Sequence, residues 1–219
     1  MSLRLLLDTA DPAAWETWLG TGLFQGVTTN PTLLRRAGIR CSVPQLAQLT
    51  AAVLALGAQE LHLQAWGPDQ TAILSCGRDL AALAPGRVIV KLPVTAAGTA
   101  AARQLINEEV PITFTACYEA HQVLIAAALG SRYIAPYLGR ICDQGRDGHA
   151  ELIAMQRCLE GLGSSVQLLV ASLRQPSDLV RLAAAGLRSF TISPELAAAL
   201  LDSRTTAEAA AQFERDAQS

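Results

Sequence analysis

The chain has 219 residues, 17 of them basic and 19 acidic, for a formal charge of −2 and a sequence pI near 5.9. With 51% hydrophobic and only 16% charged residues, its composition excludes extensive disorder and suits a compact, helix-rich fold. The weak charge and the lack of a Lys/Arg tract give no attraction for nucleic acid or an anionic membrane surface, so the expected partner is a small molecule.

The apolar run from Leu3 to Asp8, interrupted by Arg4, is too short for the hydrophobic region of a signal peptide and predicts a first strand. Asp11-Pro12 then opens a helix, the run Gly26 to Asn30 predicts a second strand, and Asn30-Pro31 opens the next helix. Residues 41–59 carry no charge but include Pro44, Gln45, Gln48 and Thr50. With Leu46, Leu49, Val53 and Leu56 at helical spacing, they predict a core-facing helix rather than a membrane span. Strands follow at Leu61 to Trp66, Val88 to Val94, Ile112 to Tyr118, Tyr133 to Leu138, Val166 to Ser172 and Ser189 to Ser193. Pro68-Asp69, Gln175-Pro176 and Ser193-Pro194 start intervening helices. Eight βα units without a long linker predict an α/β fold, a closed (β/α)8 TIM barrel, in one domain over residues 1–219. An additional C-terminal helix is expected at 205–217, where Phe213 marks either an ordinary capping helix or one that packs on a neighbouring subunit.

Barrels of this kind do their chemistry at the C-terminal ends of the strands. The side chains expected there are Asp8, Thr28, Thr29, Asn30, Gln64, Lys91, Thr115, Tyr118, Tyr137, Arg140, Ser172, Arg174 and Ser193. Lys91 is the only lysine, every other basic residue being arginine, and it sits within Val88-Ile89-Val90-Lys91-Leu92-Pro93-Val94. An ammonium inside a strand is poorly solvated, which lowers its pKa and raises the fraction of neutral amine able to attack a carbonyl. A structural salt bridge is the plainer reading of Lys91, but arginine would serve it equally well. Asp8 reads either as a helix cap or barrel-mouth hydrogen-bond partner or as a catalytic or hydroxyl-binding group, and Thr28 to Pro31 as a capped turn or part of a site.

His62, His121 and His149 are dispersed and read as packed or surface residues. The five cysteines show neither CxxC spacing nor a His-rich companion, so no metal is expected, and reduced thiols suit a cytoplasmic protein. Without a Walker A, GxGxxG or HExxH motif, no cofactor is expected either.

Leu7-Asp8-Thr9, Gly26-Val27-Thr28-Thr29-Asn30-Pro31, Val90-Lys91-Leu92-Pro93-Val94-Thr95, Ala135-Pro136-Tyr137 with Gly139-Arg140, and Ala171-Ser172 with Arg174 together resemble the small transaldolase family. The resemblance runs in order from Leu3 to the C-terminal helix. It implies a metal-free Schiff-base reaction on a ketose phosphate, and a homo-oligomer, pentamer or decamer. Gln64, Thr115 and Tyr137 resemble the fructose-6-phosphate aldolase branch, where transaldolases usually carry Glu, Asn or Thr, and Phe. The expected activity is therefore cleavage and formation of fructose 6-phosphate from dihydroxyacetone and glyceraldehyde 3-phosphate. Transaldolase transfer of dihydroxyacetone between sugar phosphates is the alternative, and a non-catalytic sugar-phosphate-binding barrel the third reading. By matching position, the resemblance implies that Lys91 forms the Schiff base, Tyr137 is the acid/base, and Gln64 and Thr115 hold a water. It gives Asp8, Thr28 and Asn30 the substrate hydroxyls, and Arg140, Ser172 and Arg174 the phosphate. Cys142-Asp143 after Ile141, and Leu173 after Ser172, depart from the usual family pattern.

Overall fold

A computed structural model describes residues 3–218. Eight parallel strands close into a barrel in sequence order. They are β1 (Arg4–Asp8), β2 (Gly26–Thr28), β3 (Glu60–Gln64), β4 (Val88–Pro93), β5 (Ile112–Cys117), β6 (Tyr133–Pro136), β7 (Gln167–Val170) and β8 (Ser189–Ile192). The helices around them are α1 (Pro12–Leu19), α2 (Pro31–Arg36), α3 (Val43–Ala55), α4 (Gln70–Ala82), α5 (Ala96–Asn107), α6 (Gln122–Leu129), α7 (Leu138–Cys142), α8 (Gly148–Gly161), α9 (Pro176–Ala184) and α10 (Pro194–Leu201). A final helix, α11, covers Arg204–Ala217.

All eight expected strands are present, but seven stop one or two residues sooner than their runs, because the closing residues leave the ladder for the turn into the next helix. Asn30 accepts hydrogen bonds from the backbone N–H groups of Thr32 and Leu33 at 2.9 and 3.1 Å, so it caps α2 instead of extending β2. Ser193 caps α10 in the same way. Asp11 and Asp69 cap α1 and α4. In α3, Leu46, Leu49 and Val53 are buried as expected, whereas Leu56 lies beyond the last turn and is exposed.

The main hydrophobic core lies between the strands and the helices. The barrel interior holds only a small separate apolar cluster of Leu6, Ile89, Tyr133, Ala135 and Leu169. Charge lies below it, at the strand starts. Glu60, 3% exposed, meets Arg4 at 3.1 Å and Arg132 at 3.0 Å, and accepts hydrogen bonds from the Tyr133 hydroxyl at 3.0 Å and His62 Nε2 at 3.3 Å. Burial alone would raise the Glu60 pKa, but the His62 hydrogen bond and the neighbouring cations outweigh it and hold the carboxyl down to about 2. Burial keeps His62 below its ordinary value and therefore neutral. With Nε2 donating to a carboxylate that can only accept, Nδ1 is left to accept from the Thr113 hydroxyl at 2.9 Å.

No described helix is long and apolar enough to cross a membrane. Every described residue of α11 is exposed, and Phe213 on it is 70% exposed. An isolated helix of this length is marginal in water, so packing it against something would supply most of its stability.

A carboxyl whose pKa is lowered by folding stabilises the protein above its unfolded value and loses that contribution as pH falls through the folded one. Glu60→Gln should therefore cost about 2 kcal/mol at pH 7, discounted from the fully buried case because Arg4 and Arg132 are partly exposed. The difference from wild type in urea denaturation should shrink as pH drops from about 4.5 to about 2. A pH-independent difference would mean that the glutamate charge does not hold this end of the barrel together.

Candidate active site

The opposite end of the barrel opens into a cavity of about 460 Å³. Asp8, Thr28, Asn30, Gln64, Lys91, Thr115, Tyr137, Arg140 and Ser172 all line it. The structure thus brings together nine of the ten residues to which the family resemblance gave a role.

Lys91 lies on β4, register-paired with Gln64 on β3 and Thr113 on β5. It is 6% exposed, and its amine donates a 2.9 Å hydrogen bond to the Thr29 carbonyl. Burial lowers its pKa, and the Asp8 carboxylate opposes part of that shift. The result is a lysine that gives up its proton more readily than one in water, next to a carboxylate that favours a positive nitrogen once one forms.

Asp8 is oriented by a relay. The Thr28 hydroxyl donates to Asp8 Oδ1 at 2.6 Å and lies 2.6 Å from the Thr191 hydroxyl. Thr28 has one proton and gives it to a carboxylate, so Thr191 must donate to Thr28. Asp8 Oδ2 is left to meet a ligand.

Gln64 is held by three partners. Its amide nitrogen donates to the carbonyls of Lys91 at 3.1 Å and Ala65 at 3.3 Å, and its oxygen accepts from the Thr115 hydroxyl at 3.0 Å. Both N–H groups are engaged with backbone, which fixes the amide so that oxygen, and not nitrogen, meets Thr115.

Tyr137 follows β6. Its ring packs edge-on to Tyr118 with centroids 5.4 Å apart, and the Arg140 guanidinium lies 5.3 Å from its ring centroid. Arg140 also donates to the Tyr118 hydroxyl at 3.2 Å. Burial raises the Tyr137 pKa, while a hydrogen bond from the Ala116 backbone works against it; the phenol remains a proton donor at neutral pH. Ala116 can present its backbone this way because it sits in an irregularity of β5 with φ of 56°. Ser172, with φ of 59°, is the other cavity residue held in the left-handed region without being glycine. Backbone strain of this kind, about 1–3 kcal/mol per residue, persists only where the surroundings impose it, and it collects at functional sites.

Arg174 is the one residue given a role that does not line the cavity; Thr29 and Ser193, also expected at the strand ends, do not line it either. The Arg174 guanidinium pairs with Asp143 at 2.6 Å, with both side chains more than half exposed. Its stem passes over Gly139, where a Cβ would lie 2.8 Å from Arg174 Nε and 2.6 Å from the Ser172 carbonyl oxygen. The Gly139 amide donates to that same carbonyl at 2.9 Å. Arg36, Thr113, Tyr118 and Thr191 line the cavity without having been assigned a role from the sequence. Thr113 and Thr191 were visible only as apolar-strand threonines, and Arg36 only as one of two adjacent helix arginines. Among the described residues no cluster of His, Cys, Asp and Glu could hold a metal ion, and all five cysteines are free.

A family model described as transaldolase/fructose-6-phosphate aldolase matches residues 5–219. A probable transaldolase of Phenylobacterium zucineum is 31% identical over 214 residues, covering 98% of this chain and 96% of that protein. A probable transaldolase of Rhodospirillum centenum is 32% identical over 217 residues, covering 98% and 90%. Among solved structures, thiamine phosphate pyrophosphorylase from Pyrococcus furiosus superposes with a TM-score of 0.60 over 87% of this chain and 85% of its own. At 10% identity, that likeness is one of fold alone.

Gly139 lets α7 sit directly on the loop that carries Ser172 and Arg174. Gly139→Ala should lower stability by about 1–3 kcal/mol through overpacking against backbone, read as a drop of several degrees in thermal unfolding. An unchanged melting temperature would show that this contact yields at no cost.

Proposed function

The chain belongs to the transaldolase/fructose-6-phosphate aldolase family, and from that membership we propose that it moves a dihydroxyacetone unit between sugar phosphates through a Schiff base on Lys91. The observation that carries this reading is the sole lysine of the chain, buried at a strand end with a lowered pKa and with Asp8 beside it.

Neutral Lys91 attacks the C2 carbonyl of a ketose phosphate such as fructose 6-phosphate. The carbinolamine loses water, with its hydroxyl protonated by Tyr137, and leaves a cationic imine stabilised by Asp8. Asp8, Thr28 and Asn30 hold the sugar hydroxyls. A water held by Gln64 and Thr115 takes the C4 hydroxyl proton and passes it toward the Tyr137 phenolate. The C3–C4 bond breaks, its electron pair flows to the imine nitrogen as an enamine, and the aldose phosphate leaves. In transfer, the enamine carbon then attacks the carbonyl of a second aldose phosphate, whose oxygen takes up a proton, and water frees Lys91. Arg140 and Ser172 hold the phosphate from the β6 and β7 side. Arg174 reaches it only by giving up Asp143, an exposed pair that holds weakly.

The sequence put release of free dihydroxyacetone first and transfer second; the probable transaldolases among the relatives support the opposite order. Release remains the second reading, and the engagement of Gln64 favours it. An amide fixed on two carbonyls cannot exchange protons as a glutamate would, so proton movement falls to water and phenol.

The exposed helix α11 supports a further part of the proposal, that the protein is a homo-oligomer in which this helix packs on a neighbouring copy.

Incubation with fructose 6-phosphate and borohydride should leave a reduced three-carbon adduct on Lys91, found by peptide mass mapping; protein with no adduct there would end the Schiff-base reading. Tyr137→Phe should cut turnover roughly 10²–10⁴-fold, the usual worth of a positioned acid/base. Glyceraldehyde 3-phosphate should be released faster when erythrose 4-phosphate is added, whereas equal release with donor alone selects the aldolase. In light scattering, Phe213→Asp should reduce the oligomer mass; an unchanged mass would remove α11 from the interface.

A further inference from the structure

Neither Asp178 nor His149 lines the cavity, yet both are tied to elements that do. Asp178 stands in the first turn of α9 and is only 6% exposed, whereas Asp11, Asp69 and Asp147, which cap α1, α4 and α8, are exposed. Its Oδ2 accepts from the backbone N–H groups of Arg174 at 3.2 Å and Gln175 at 3.3 Å. Its Oδ1 accepts from Gln175 Nε2 at 3.4 Å and from His149 Nε2 at 3.0 Å. An acidic residue at the third helical position that reaches back to the N-cap amide is ordinary capping, and it accounts for the bond to Gln175. It accounts neither for Arg174, which precedes the cap, nor for a histidine from the preceding βα unit.

His149 belongs to the first turn of α8, which is seated on α7: a Cβ on Gly148 would lie 2.9 Å from Cys142 Sγ and 3.0 Å from Leu138 Cδ1. Arg140 is on α7. Asp178, for its part, holds the far end of the segment 171–175, which carries Ser172 and Arg174. The near end of that segment is pinned to α7 directly, since the amides of Leu138 and Gly139 donate to the carbonyls of Ala171 and Ser172 at 3.0 and 2.9 Å. Between the two fixed ends Ser172 keeps its φ of 59°, a conformation that survives only where the surroundings impose it.

We propose that His149 and Asp178 form a clasp that sets the Ser172 loop against α7, so that Ser172 and Arg140 meet the same phosphate. Both are positioning residues, and neither touches the substrate. The proposal rests on the reading of Arg140 and Ser172 as the phosphate-binding pair. Carboxylate oxygens only accept, so His149 Nε2 carries the proton of the clasp. A ring without that proton leaves a buried carboxylate short of a donor and frees the 171–175 segment at its far end. Small misplacements of a group that binds the substrate far from the reacting carbon are costly, because the binding geometry is what they spoil.

The full-length wild type, His149→Phe, His149→Gln and Arg140→Gln are each titrated with fructose 6-phosphate and, separately, with dihydroxyacetone, which has no phosphate. Borohydride traps the imine, and the labelled fraction of Lys91 is read by mass. The readout is the half-saturating concentration of fructose 6-phosphate divided by that of dihydroxyacetone within each protein, so losses of lysine reactivity cancel. His149→Phe should raise this ratio about tenfold, the usual effect of losing one hydrogen bond to a charged group, with the dihydroxyacetone value within about twofold of wild type. His149→Gln, whose amide N–H replaces that of Nε2, should restore most of the wild-type ratio. An unchanged ratio in His149→Phe overturns the proposal, as does an equal rise in His149→Gln, which would make the ring and not its proton the feature that matters. Loss of dihydroxyacetone labelling in His149→Phe overturns it too, because the pair would then hold the barrel as a whole. Arg140→Gln should also raise the ratio; if it does not, the phosphate reading fails and takes the clasp with it, and a wild type labelled by neither compound would sink the Schiff base itself.

Discussion

The site depends on one amine that the barrel keeps out of water. Lys91 projects from the middle of the sheet, between strands, where the charged form is penalised by burial and only one carboxylate, Asp8, works in its favour. Asp8 in turn is aimed by Thr28, and Thr28 by Thr191, so three strands fix the direction of a single charge. This arrangement changes character along a reaction. Before an imine forms, the neutral nitrogen needs little from Asp8. Afterwards, the cationic nitrogen meets a carboxylate already oriented, at no further cost in reorganisation.

The neighbouring strand explains why this chain carries Gln64 at the position where transaldolases usually have a glutamate. The amide nitrogen gives its two hydrogens to the carbonyls of Ala65 and Lys91. A carboxylate in the same place would set an anionic oxygen against those two acceptors, with nothing to donate to it but Thr115. The backbone around β3 and β4 is thus matched to an amide. The Thr115 hydroxyl, by donating to Gln64, keeps its own lone pairs available to a water, and the phenol of Tyr137 is the nearby group with a proton to give.

Most of the barrel was legible in the sequence because each strand is a short apolar run closed by a cap or proline. Most of the cavity was legible because polar residues at the ends of such runs have few structural uses. What escaped was set by tertiary geometry. Arg174 carries the right chemistry at the right strand end, yet Asp143, one turn past Arg140, draws it outward. Arg36 stands beside Arg35 with no local pattern to separate them, and only the orientation of α2, fixed by the Asn30 cap, turns one toward the cavity and the other away. Glu60 lies just outside the expected third strand, and His62 read only as a packed or surface residue. Glu60 is matched by Arg4 on β1 and by Arg132 just before β6, which converge on it from far away in sequence.

The two ends of the barrel are opposite in their hydrogen bonding, and His62 links them. At the strand starts, Glu60 is matched by two arginines, a tyrosine and a histidine, which take up both of its carboxylate oxygens. That saturation fixes the tautomer of His62, which then takes the only proton of Thr113. Thr113 lines the cavity next to Lys91 in the register, and with its proton committed below it presents only acceptor lone pairs to the site. The carbonyl of Thr29 does the same from just past β2. Two acceptors, the Thr113 oxygen and the Thr29 carbonyl, therefore stand beside the lysine, suited to the N–H of an amine or a protonated imine. The acceptor character of Thr113 is set by a carboxylate at the other end of the barrel that touches neither it nor the lysine.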